Sequence, residues 1–76
     1  MKVKVQGVRK VAISGDFIKL DSLLKYASLA STGGEAKLYI QNEEVFVNGE
    51  SCDQRGRKIK PGDVVKFRND VLRICT

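Results

Sequence analysis

The sequence predicts an α+β domain in which two short helices cover one face of a small, mostly antiparallel sheet. Three observations carry this prediction. Leu20, Leu23, Leu24, Ala27 and Ala30 recur at three- and four-residue steps, an apolar stripe along one helical face. Val45-Phe46-Val47 runs into Asn48-Gly49, the dipeptide that best tolerates the positive φ angles of a two-residue hairpin turn. Beyond it, short β-branched runs alternate with turn residues to the end of the chain. With 76 residues there is room for one core, so a single domain over residues 1–76 is expected.

The elements follow in order. Met1-Lys2-Val3-Lys4-Val5 alternates and lacks the apolar stretch of an export signal. Val11-Ala12-Ile13 reads as a short strand ended by Ser14-Gly15-Asp16. The first helix is expected to start with Asp21 as N-cap and to end near Ala30-Ser31. Thr32 or Ser31 caps the second helix, with Glu35 in its first turn facing the positive end of the dipole. Ala36, Tyr39 and Ile40 form its inner side, while Lys37 and Gln41, four apart, share another face. Asn42-Glu43-Glu44 closes the helix, and Glu50-Ser51-Cys52 forms the return strand of the hairpin. Arg55-Gly56-Arg57-Lys58 is a basic turn, Ile59 a short extended piece, and Pro61-Gly62 the centre of a type II turn. Val65 and Phe67 face one way and Lys66 and Arg68 the other; Asn69-Asp70 then turns the chain into a last strand, Val71 to Cys75.

Composition narrows the function. A hydrophobic fraction of 42% with 30% charged residues suits a folded, soluble domain. The absence of histidine removes the commonest general base and metal ligand. Cys52 and Cys75 form no CxxC pair, so both are expected to be reduced and at least one partly buried, a single disulfide being the alternative. No catalytic site, metal or cofactor is expected, and neither is a membrane span. The expected setting is the cytoplasm, and the expected state a monomer.

The net charge of +5 points to an acidic partner, and it is unevenly spread. Residues 1–15 carry +4, residues 16–50 carry −3 and residues 51–76 carry +4. Two features could bind a phosphate. Thr32-Gly33-Gly34 lets a ligand approach backbone N–H groups at a helix start, although a glycine pair between helices also suits a tight turn. Arg55-Gly56-Arg57-Lys58-Ile59-Lys60 places four bases in six residues. Phe17, Tyr26, Tyr39, Phe46 and Phe67 are too scattered for a base-stacking platform and are expected in or beside the core, with Phe46 turned away from Val45 and Val47.

The ordered set Ile18 to Leu24, Ser31 to Ile40, Val45 to Glu50, Arg55 to Ile59 and Pro61 to Val65 resembles the S4 domain. The match is strongest over residues 17–68, and its combination of Thr-Gly-Gly-Glu-Ala-Lys with Arg-Gly-Arg-Lys is most similar to small stand-alone bacterial YaaA-like S4 proteins. The resemblance implies an αL motif, two helices followed by a β-hairpin, that presents a basic surface to structured RNA, either rRNA or tRNA, and through it to ribosomal particles. By position it implies RNA contacts at Lys19, Thr32, Gly33, Lys37, Gln41, Arg55, Arg57 and Lys58. Lys19 stands where relatives carry arginine, which keeps the charge but loses the bidentate fork. Gly33 stands where many relatives place an arginine, which shifts the expected phosphate contact there to backbone amides. Asp21, Leu24, Ala36, Asn48, Gly49, Gly62 and Asp63 are expected to serve the fold. Relatives carry this module attached to enzymes; here catalysis in cis is not expected. The alternatives are an adaptor that binds an acidic protein surface, on the ribosome or elsewhere, and a DNA-binding module.

Overall fold

The computed structural model describes residues 8–76, so the alternating Met1–Val5 stretch lies outside the described residues. Seven strands and two helices follow in the order β1 (Val8–Ala12), β2 (Ile18–Lys19), α1 (Leu20–Tyr26), α2 (Gly33–Gln41), β3 (Val45–Val47), β4 (Glu50–Ser51), β5 (Lys58–Ile59), β6 (Val64–Phe67) and β7 (Asp70–Cys75). Five strands form one sheet in the order β1-β7-β6-β3-β4, and β2 pairs with β5 in a separate two-stranded ribbon. Every pairing is antiparallel except that of β1 with β7 at the sheet's edge. This is the expected α+β arrangement.

Alternation along the strands decides what the sheet buries. Val45, Val47, Val65, Phe67, Leu72 and Ile74 point to one side and are buried; Leu20, Leu23 and Leu24 of α1 with Ala36 and Ile40 of α2 complete the core. No polar or charged residue is buried among the described residues, so the core meets no desolvation cost from unpaired groups. Both thiols are free, with Cys52 buried and Cys75 half-buried.

The helix boundaries differ from expectation for identifiable reasons. Asp21 is not the N-cap. Lys19 holds that position, in extended geometry and with no side-chain cap, and Asp21 lies in the first turn, where its Oδ1 accepts the Ser22 N–H at 2.7 Å. A side-chain cap is dispensable because the Leu20 and Asp21 N–H groups donate to the carbonyls of Arg57 and Arg55, at 2.9 and 3.1 Å. At its other end α1 stops at Tyr26, short of Ala30. Ser28 takes φ 64°, its N–H donates to Lys25 and the Leu29 N–H donates to Leu24, which closes the helix in a Schellman turn. Ala27 and Ala30 remain buried beyond the helix, which is why the apolar stripe overstates its length.

The second helix starts where expected. The Thr32 hydroxyl accepts the Glu35 N–H at 3.1 Å, and the Glu35 carboxylate reaches back to the Ser31 N–H at 2.7 Å, a reciprocal arrangement of the capping-box kind. Glu43, with φ 61°, ends it in a second Schellman turn, its own N–H donating to Ile40 and that of Glu44 to Tyr39. Asn48 and Gly49 have φ 52° and 89°, the positive pair that a type I′ hairpin needs. Gly62, at φ 98°, fits the type II turn, which the Asp63 N–H closes onto Lys60.

The β6–β7 turn falls one residue earlier than expected. Phe67 pairs with Asp70, so the loop is Arg68-Asn69, and Arg68 takes φ 57°. Its guanidinium is held by Glu44 at 3.0 Å and lies 4.8 and 5.0 Å from the rings of Phe67 and Tyr39, contacts that offset the strained backbone. The aromatic expectation is corrected in part. Phe67 is buried and Tyr39 half-buried, but Phe17, Tyr26 and Phe46 are exposed. Tyr26 lies off the apolar stripe and donates its hydroxyl to the Ala12 carbonyl, while Phe46 is turned outward by strand alternation, as expected.

Candidate nucleic-acid interface

The two-stranded ribbon positions the densest group of bases. In β2 and β5, Ile18 lies opposite Ile59 and Lys19 opposite Lys58. Ile59 is fully buried and Ile18 packs against the core, so the register is fixed from below by apolar contact. That leaves Lys19 and Lys58 exposed and facing outward on adjacent strands, a like-charge pair that an anion would relieve. The Arg57 and Arg55 carbonyls, by accepting from the start of α1, tie the basic loop to the same helix. Lys19 is thereby brought beside Arg55, Arg57 and Lys58, from which the chain separates it widely. The loop's fold uses main-chain groups, including the Arg57 N–H to the Gln54 carbonyl, so these hydrogen bonds leave the Arg55 and Arg57 guanidinium groups uncommitted.

The second group lies on α2, which packs against α1. Thr32, Gly33, Lys37 and Gln41 are all exposed, and Lys37 and Gln41 are one turn apart. Gly33 has no conformational need to be glycine: its φ is not positive, and a Cβ there would meet nothing within 4 Å. A side chain is missing at a helix start that could have carried one. The Thr32 hydroxyl accepts from Glu35 and still has its O–H proton to donate to an anionic ligand. The Glu35 carboxylate beside this end sets a negative charge near the exposed Gly33 and Gly34 N–H groups.

The S4 domain family's sequence profile matches residues 11–75. The chain belongs to the S4 domain family. "Probable ribosome maturation protein RlbA" of Bacillus subtilis (strain 168) is 41% identical over 57 residues, covering 75% of this chain and 80% of that protein. Small ribosomal subunit protein uS4 of Hyphomonas neptunium is 36% identical over 50 residues, 66% of this chain. The same protein of Coxiella burnetii is 31% identical over 51 residues. The aligned part covers only about a quarter of either uS4 chain, at 24% and 25%.

Within this S4 domain not every base is free. Arg9 donates to the Ala27 carbonyl at 2.8 Å, where a cation also suits the negative end of α1, and Arg68 is held by Glu44. Sequence reasoning missed Phe17, whose ring lies 4.9 Å from the Lys58 Nζ. The only sign of it was its place just before a two-residue strand too short to show periodicity. Among the described residues no cluster of side chains could hold a metal ion, and no helix is long and apolar enough to cross a membrane.

Proposed function

We propose that this S4 domain is a non-catalytic module that binds structured RNA, rRNA or tRNA, in ribosome maturation or on ribosomal particles in the cytoplasm. The observation that carries the reading is the Lys19–Lys58 pairing, with the basic loop tied by its carbonyls to the start of α1. It sets four cations on a rigid support beside a helix that packs on α2, an arrangement suited to phosphates along a groove or loop of folded RNA. Lys19, Arg55, Arg57 and Lys58 neutralise phosphate charge; Lys37 and Gln41 extend the contact along α2; Thr32 and Gly33 offer an O–H and backbone N–H groups at its start. The ribosomal names of the relatives support the same reading.

The test is equilibrium binding of the full chain to a structured rRNA fragment, a tRNA, duplex DNA and an acidic protein across a salt series. Tight, steeply salt-dependent binding to one of the two RNAs, weakened by charge reversal at Arg55, Arg57 and Lys58, supports the proposal. Preference for the acidic protein, or identical behaviour of wild type and variant, overturns it.

A further inference from the structure

The face of the sheet turned away from the helices is unpartnered among the described residues. A register row crosses four neighbouring strands there, with Phe46 opposite Lys66, Lys66 opposite Val71 and Val71 opposite Val8. In a second row Lys10 lies opposite Arg73, and Arg73 opposite Val64. Phe46 is 39% exposed and Val8 58% exposed, one at each end of the first row. Phe46, Val64, Lys66 and Val71 with Gly49 line a shallow, open groove of about 420 Å³.

The charges decide what fits it. Lys10, Lys66 and Arg73 share this face, and among the described residues the sole ion pair, Arg68 with Glu44, involves none of them. Lys10 and Arg73 stand directly across from each other, a cross-strand like-charge pair that costs stability unless an anion lies over it. Asp63 borders the second row, but its carboxylate already accepts from the Lys60 N–H and the Asn48 amide. A peptide that extends a sheet pairs with an unpaired edge; β7, β6 and β3, by contrast, have neighbours on both sides. Binding over these three strands must therefore use side chains alone. One exposed aromatic ring among three bases suits a flexible polyanion that stacks a planar group, which is the chemistry of an unpaired nucleic-acid strand.

We propose that the outer sheet face is a second RNA-contact surface, on which Phe46 stacks a base and Lys10, Lys66 and Arg73 hold the phosphates of a single strand. It is separate from the surface built on α1, α2 and the basic loop, and does not depend on it. The test compares a short oligouridine with a short RNA hairpin and a short acidic peptide, using wild type, Phe46→Leu, Lys66→Glu with Arg73→Glu, and Lys25→Glu as a charge control on α1. Phe46→Leu keeps apolar bulk and should fold, which circular dichroism checks. The expected result is that Phe46→Leu weakens oligouridine binding by about tenfold, the scale of one base–aromatic stack, and leaves the hairpin unaffected. The double charge reversal should weaken oligouridine far more than Lys25→Glu does. Charge reversal at Arg55, Arg57 and Lys58 should act mainly on the hairpin, so the two surfaces fail separately. Absent oligouridine binding, equal binding by wild type and Phe46→Leu, or a short acidic peptide taking the face in preference to oligouridine overturns the proposal.

Discussion

Asn48 and Asp63 join the two turns at one end of the sheet. The Asn48 amide donates to the Asp63 carboxylate at 3.1 Å, and the Asn48 Oδ1 accepts the Val64 N–H at 2.9 Å. Asp63 also accepts the Lys60 N–H at 2.8 Å across the Pro61-Gly62 turn. The hairpin turn that precedes the basic loop and the type II turn that follows it are thus fixed to each other. This clamp limits where the chain between them can go.

Burial of Asp63 acts to raise its pKa, but the Lys60 N–H, the Asn48 amide and the charges of Lys60 and Arg57 together hold it below the usual carboxylate value. A carboxyl with a depressed folded-state pKa contributes stability that is full above its unfolded value of about 4 and fades as pH falls through the folded value. Asp63→Asn should lose this component: the wild-type stability advantage present at neutral pH shrinks on acidification below about pH 4. Urea titrations of both proteins from neutral to acid pH check it, and a gap that does not change with pH contradicts it.

Gly33→Ala separates stability from binding. With no positive φ and open space at the Cβ position, alanine should stabilise the chain by about 0.5 kcal/mol. If the exposed N–H groups contact phosphate, the added methyl weakens RNA binding at the same time. Chemical denaturation and RNA titration on one preparation read both effects.

Thr32→Ala removes the cap of α2 and should cost about 1 kcal/mol, while Thr32→Ser should cost much less. Denaturation midpoints report the difference.

Arg9→Met keeps much of the side chain's bulk but leaves the Ala27 carbonyl without its charged donor. A loss of about 1–2 kcal/mol is expected, with RNA affinity little changed. Thermal unfolding and RNA binding together distinguish this structural base from a binding one.

Arg55→Glu with Arg57→Glu should leave the fold intact, because the hydrogen bonds that place this loop on α1 come from main-chain carbonyls. The slope of log affinity for structured RNA against log salt should fall by about 0.7–0.9 for each phosphate that is no longer neutralised. An unchanged slope would place the RNA elsewhere on the surface.

Much of the fold was legible where a few adjacent residues decide the outcome. Asn48-Gly49 announced its turn, Ser31-Thr32 a cap that the structure places at Thr32, and Pro61-Gly62 its bend, because each acts on neighbouring backbone groups. The α1 boundaries differ from expectation for a different reason at each end. Carbonyls from the distant basic loop replace a side-chain cap at its start, while at its end a local Schellman turn at Ser28 stops the helix and the buried alanines carry the stripe past it. Phe17 and Tyr26 were expected in or beside the core and are exposed, since side-chain type alone does not say whether a strand or helix face has a partner.

For the candidate site, the sequence by itself determined the inventory of bases, the glycine at the start of α2 and the membership of a recognisable family. Only the tertiary structure decided which bases stand together. Lys19 meets Lys58 because Ile18 and Ile59 bury their side chains in the same core, which draws two otherwise featureless dipeptides into register. Phe46, Lys66 and Val71 form a row for the same kind of reason: their neighbours Val47, Val65 and Leu72 are pulled inward, and alternation turns them out. The apolar residues set the register, and the charged surfaces follow from it.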